Sequence, residues 1–201
     1  MPQNIFVIME KIIKILAIVG SIRADSYNHQ LAQEAGKIIG ERADFEVLDY
    51  TDVPFFSQDI EYPAPASVVM IREKIMNSDA IWFFSPEYNH YFSGVLKNLI
   101  DWLSRPLSET IPQVLRGKPA AVSGIALGMF GTGIAQDHLV SLLSILNMKI
   151  MNQPRLTIPF AFQQVDDKGL LNLVNSRQFL EQQAEALLRF INESTPKSPN
   201  P

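Results

Sequence analysis

From Lys14 to Val19 the chain is an unbroken run of β-branched and aliphatic residues after one lysine, closed by Gly20, the pattern of a strand covered on both faces. A polar stretch follows, and from Ser26, placed as a helix N-cap, to about Gly40 the period becomes helical, with Leu31, Ala35, Ile38 and Ile39 on one side. Phe45–Tyr50 reads as a second strand. Thr51–Pro65 carries three prolines and no helical period, and Ser67–Asn77 returns to helix with Val68, Ile71 and Ile75 on one stripe. Ala80–Phe84 is a short, wholly apolar strand that runs through Pro86-Glu-Tyr-Asn-His-Tyr-Phe into a helix ending near Ser104. That helix has Val95, Leu96, Leu99, Ile100 and Leu103 on a broad apolar face. Lys118–Ser123 is a fourth strand, Ile134–Leu146 a helix, Arg155–Ile158 a fifth strand and Ser176–Asn192 a last helix.

Five strands alternating with five helices predict an α/β fold: a doubly wound parallel sheet with helices on both faces, because parallel crossovers need a covering helix. The five-strand count favours the flavodoxin-like order 2-1-3-4-5, whose ligand crevice lies between the loops after the first and third strands. The expected layout is one domain over residues 13–193, an extension over 1–12 for which Met9 offers an alternative start, and a polar, proline-rich, disordered tail over 194–201. A loop of about 15 residues such as Thr51–Pro65 is long for a compact domain, so Phe55, Phe56 and Tyr62 are candidates to wall a site or to pin the loop down.

Composition narrows the function classes. The 201 residues are 47% hydrophobic and 19% charged, enough to bury a sizeable core. A net charge of −4 without a basic run speaks against nucleic acid. There is no cysteine, hence no disulfide, thiolate metal site or cysteine nucleophile, as suits a cytoplasmic protein whose redox chemistry would come from a cofactor. Glu10, Lys11 and Lys14 interrupt the apolar residues near the N-terminus, so neither an export signal nor a membrane span is expected. His29, His90 and His138 stand on separate elements with no metal-binding spacing, and only His90 falls on the crevice side.

The polar loops carry the candidate chemistry. Gly20-Ser-Ile-Arg-Ala-Asp-Ser-Tyr-Asn gathers the hydroxyls of Ser21 and Ser26, the amide of Asn28 and the guanidinium of Arg23 at a helix N-terminus, a donor set suited to a phosphate monoester. It is neither a Walker loop nor Gly-x-Gly-x-x-Gly. In Pro86-Glu-Tyr-Asn, Tyr88 offers a ring face and Asn89 an amide edge to a flat, polar-edged cofactor. The same residues also read as a plain turn before a helix capped by Ser93. Gly124–Gly133 holds four glycines in ten residues, which lets backbone approach a ligand. Lys97 and Asp101, one turn apart, read as a helix-surface pair.

These two motifs, with Gly94-Val-Leu-Lys-Asn-Leu-Ile-Asp-Trp, Ser104-Arg-Pro, Asp52-Val-Pro-Phe-Phe-Ser-Gln-Asp-Ile-Glu and Leu127-Gly-Met-Phe-Gly-Thr-Gly, resemble the NADPH-dependent FMN reductase family of quinone, azo-dye and chromate reductases. The likeness spans about Lys14 to Leu156. It implies non-covalent FMN, NADPH or NADH as co-substrate, a small-molecule electron acceptor, and a homodimer or homotetramer with flavin sites at the dimer interface. It also implies that Ser21, Arg23, Ser26 and Asn28 hold the FMN phosphate. Pro86, Glu87, Tyr88 and Asn89 would line the flavin ring, with Ser123, Gly124 and Gly128 approaching it. No protein side chain is then assigned a catalytic role and no metal is implied. Two positions depart from many relatives: Ser93 stands where they have proline, and Ile134 where they have arginine. Outside this family, the same loops would suit a flavodoxin-type one-electron carrier. The apolar breadth of the helix over Ser93–Ser104, extended by Tyr91, Phe92 and Trp102, separately predicts a homodimer.

Overall fold

A computed structural model describes residues 11–194, so the expectations for residues 1–10 and 195–201 lie outside the described residues. Strands β1 (Ile13–Val19), β2 (Ala43–Val47), β3 (Ala80–Phe84) and β4 (Pro119–Ile125) are parallel, with Ile15 opposite Phe45 on one side and Ala80 on the other. The fifth place in the sheet is shared by two short strands: β5 (Lys149–Ile150) pairs with the start of β4, and β6 (Leu156–Ile158) with its end. The order is β2-β1-β3-β4-β5, as expected. The fifth strand read from Arg155–Ile158 is β6, while β5, two residues long, is too short to leave a period in the sequence.

Helices α1 (Tyr27–Ile39) and α5 (Arg177–Ser194) cover one face, and α2 (Ala66–Asn77), α3 (Gly94–Leu103) and α4 (Gly133–Ile145) the other. The division follows from the two-residue period of the strands: Ile15, Ala17 and Val19 of β1 join the α1/α5 core, and Leu16 and Ile18 the opposite one. Trp82 and Phe84 stack at 5.1 Å in the first core, each large buried side chain contributing about 1.5–3 kcal/mol. The Trp82 indole donates to Ser123 Oγ (2.7 Å), which donates to Gln183 Oε1 (2.6 Å). Gln183 in turn donates to the carbonyls of Val122 and Pro154, both at 3.0 Å. Every polar atom of this buried chain is thereby paired, and α5 is fixed to the middle of the sheet. The last helix continues to Ser194, where a tail was expected to begin.

Of the aromatic residues expected to extend a dimer surface, Phe92 and Trp102 are buried in their own chain and Tyr91 is exposed, so much of the apolar breadth of α3 is taken up by the sheet and by the loop between β2 and α2. The Pro54 carbonyl of that loop accepts from Asn98 Nδ2 (3.0 Å) and Trp102 Nε1 (2.8 Å), and Phe56 N–H donates to Asn98 Oδ1 (2.8 Å). The Phe56 ring meets Trp102 edge-on at 4.9 Å, Glu61 pairs with Arg105 at 2.7 Å, and the Tyr62 hydroxyl donates to the Pro106 carbonyl. Phe56 and Tyr62 therefore pin the loop, whereas Phe55 stands out from it. Lys97 and Asp101 form the expected surface pair at 2.7 Å. No helix among the described residues is long and apolar enough to cross a membrane.

Candidate functional site

Three loops at the carboxyl ends of β1, β3 and β4 enclose a cleft of about 610 Å³. From the first come Ser21, Arg23, Ser26, Tyr27 and Asn28; from the second Pro86, Glu87, Tyr88 and His90; from the third the stretch from Ile125 to Gly128, with Phe130 and Gly131. The first loop is short because Ser26 stops it: its side chain accepts from His29 N–H as the cap of α1, leaving the hydroxyl hydrogen free to donate. Arg23 is exposed, lies 5.6 Å over the Tyr27 ring and pairs with no carboxylate among the described residues. A guanidinium and two hydroxyls at the start of a 13-residue helix form a donor set whose chemistry suits an anion.

Hydrogen bonds between the three loops hold the cleft together. Asn28 Nδ2 donates to the Ile125 carbonyl (2.9 Å) and its Oδ1 accepts from Ile125 N–H (3.0 Å), so this amide ties the first loop to the third. Gly20 N–H donates to the Phe84 carbonyl, joining the first to the second. The Glu87 carboxylate accepts from Ala135 N–H (3.0 Å) in the first turn of α4, where the helix field favours negative charge. His90 Nδ1 lies 3.4 Å from its other oxygen.

Eight of the predicted residues line the cleft: Ser21, Arg23, Ser26, Asn28, Pro86, Glu87, Tyr88 and Gly128. Three do not. The chain closes on itself between Tyr88 and Tyr91 through two backbone hydrogen bonds, with Asn89 (φ 52°) and His90 (φ 60°) in the left-handed region. Asn89 is thus set at the exposed tip of the turn, outside the lining. Ser123 is fully buried in the polar chain with Trp82 and Gln183. Gly124 serves packing: a Cβ there would lie 2.3 Å from both the Ser85 carbonyl oxygen and Thr132 Oγ1. Tyr27, Ile125, Ala126, Leu127, Phe130 and Gly131 also line the cleft and were missed although each lies within three positions of a residue already singled out, because spacing along the chain does not show which way a loop residue faces. Leu127, Met129 and Phe130 are exposed, giving the glycine-rich loop an apolar rim. Ser93, in the position where relatives often have proline, caps α3 through Leu96 N–H. Among the described residues no three metal-ligating side chains converge.

Residues 13–163 match the model of the NADPH-dependent FMN reductase family. The chain belongs to that family. It is 39% identical over 176 residues to an NAD(P)H-dependent FMN reductase of Pseudomonas aeruginosa, covering 87% of this chain and 93% of that one. It is 35% identical over 169 residues to a 2-hydroxy-1,4-benzoquinone reductase of Burkholderia, covering 84% and 91%. Among solved structures, the flavoenzyme NAD(P)H:(acceptor) oxidoreductase FerB of Paracoccus denitrificans superposes with a TM-score of 0.81 at 32% identity, over 90% of this chain and 99% of that one. A flavodoxin of Bacillus cereus, with a TM-score of 0.56 at 17% identity, shares the fold. The FMN reductase family's group fits the cleft's chemistry: its lining holds a guanidinium with no carboxylate partner among the described residues and two hydroxyls suited to a phosphate, together with Tyr88, Phe130 and the open space at Gly128 suited to a ring.

Proposed function

We propose that the chain is an NAD(P)H-dependent FMN oxidoreductase serving a small acceptor such as a quinone, an azo compound, free flavin or a metal oxyanion. The observation that carries this reading is Arg23, a cation without a carboxylate partner among the described residues, lining a cleft that also holds Tyr27, Tyr88, Leu127 and Phe130. Bound FMN would supply the chemistry, accepting hydride from NADPH or NADH and passing two electrons to the acceptor. The chain's own part is to bind and orient. Ser21, Arg23 and Ser26 would hold the phosphate, with the field of the α1 N-terminus behind them. Pro86, Tyr88, Gly128 and Phe130 would border the ring. Asn28 and Glu87 act indirectly, by fixing the distances between the loops, so that little order is lost when ligand binds. No side chain is given a covalent or proton-transfer role.

The working form in this reading is a cytoplasmic homodimer or homotetramer. The apolar rim of Leu127, Met129 and Phe130 supports an interface in place of α3, and a chain without cysteine suits a reducing compartment. Light scattering of the FMN-loaded protein checks the assembly.

Purified protein is expected to take up one FMN per chain, to lose its yellow colour anaerobically on addition of NADPH or NADH, and to regain it on addition of a quinone. Colour that persists for minutes with either nucleotide but is removed by dithionite would make the protein a one-electron carrier instead.

A further inference from the structure

Phe55 is the most exposed large apolar side chain among the described residues, at 85%. Burial does not hold it, yet the backbone on both sides of it is fixed. The Pro54 carbonyl takes hydrogen bonds from Asn98 and Trp102, Phe56 N–H donates to Asn98, and the Phe56 ring is seated on buried Trp102. Helix α3 thus commits two polar side chains to a segment whose central residue contributes almost nothing to the core. An aromatic ring presented on a clamped backbone loses little freedom when it meets a flat partner.

The ring borders a groove of about 400 Å³ beside the main cleft, walled by Ile22, Phe55, Tyr88 and Val95. Ser21, Arg23 and Tyr88 line both spaces, so the groove opens into the cleft. Its size falls within the usual range for small-molecule sites, and apart from Ser21 and Arg23, which serve the phosphate in the reading above, its only polar side chains are the hydroxyls of Tyr88 and Ser93, each able to donate. That chemistry suits a flat, largely apolar ligand with acceptor oxygens at one edge. Resting on the reductase reading above, we infer that Phe55 is the aromatic platform of a subsite for a fused-ring quinone-type electron acceptor, held in the groove between Ile22, Val95 and Tyr88. Asn98 and Trp102 are positioning residues that act through Phe55.

The test is binding without turnover. Oxidised, FMN-loaded protein without NADPH is titrated calorimetrically with 2-methyl-1,4-naphthoquinone and with one-ring tetramethyl-1,4-benzoquinone. Phe55→Ala is expected to weaken the naphthoquinone about tenfold and the benzoquinone less than about threefold, with Phe55→Tyr close to the parent, as loss of one ring-on-ring contact implies. FMN fluorescence quenching checks that each variant still folds and loads. Unchanged naphthoquinone affinity in Phe55→Ala, or an equal loss for both quinones, would overturn the subsite. So would a fall in molar mass by light scattering for Phe55→Ala, which would assign the groove to a second copy of the chain. Because no nucleotide is present, these outcomes stand apart from whether NAD(P)H reduces the bound flavin.

Discussion

The loop from Gly20 to Ser26 and the loop from Thr51 to Pro65 border the same region and are held in opposite ways. The first is short, stopped by the Ser26 cap, and leaves Ser21 and Arg23 largely uncommitted: Ser21 Oγ accepts only a long 3.4 Å contact from Arg23 N–H, and Arg23 pairs with no described carboxylate. The second is more than twice as long, yet side chains of α3 and the residues just after it hold it at Pro54, Phe56, Glu61 and Tyr62. Length is therefore a poor guide to rigidity here. Where a loop's polar groups are spent on the fold, substitution should cost stability; where they are left free, it should cost ligand.

The sharpest way to break the long loop is Trp102→Ala, which removes a fully buried indole, its bond to Pro54 and the seat of Phe56. A loss of about 3–5 kcal/mol in unfolding free energy is expected by denaturant titration. A loss below about 1 kcal/mol would show that the loop does not depend on α3. The complementary change, Arg23→Ala, is expected to leave stability within about 0.5 kcal/mol and to weaken FMN by about 1.5–3 kcal/mol, with riboflavin much less affected because it lacks the phosphate. Equal losses for FMN and riboflavin would mean that Arg23 serves the fold, and the contrast between the loops would fail.

The smallest effect concerns Tyr50, which joins the two regions: it opens the long loop, and its hydroxyl donates to the carbonyl of Val19, next to Gly20. Burial pushes the Tyr50 phenol above its usual value near 10. A raised folded-state pKa stabilises fully below the unfolded value and less as pH rises through the folded one. Tyr50→Phe should cost about 1 kcal/mol at neutral pH, and the gap to the parent should narrow above about pH 10. A gap that stays constant up to pH 11 in thermal or denaturant melts would contradict this account of the phenol.

The elements with a clean period were legible from the chain alone. Ala80–Phe84 is strand β3 to the residue, Ser26 and Ser93 are caps, and the phosphate-type donors of the first loop lie on the cleft. Asn89, Ser123 and Gly124 were not legible in the same way. A residue beside a ligand-facing neighbour can equally face the core or the tip of a turn, and only backbone dihedrals and packing distinguish these. Phe92 and Trp102 show the same limit, since an apolar helix face does not say whether the sheet, a loop or another chain covers it.

What the sequence determined by itself was the alternation of strand and helix and the grouping of Ser21, Arg23 and Ser26, because these depend on neighbours within a few residues or one helical turn, while the sheet order followed from the number of strands and the family from whole motifs. Tertiary structure alone decided that Asn28 ties β4 to α1, that Glu87 caps α4, and that α3 grips Pro54 and Phe56 and thereby sets Phe55 in the open. Each of these contacts joins residues more than 40 positions apart. Their partners are chosen by how the layers pack, and no local pattern in the chain records that choice.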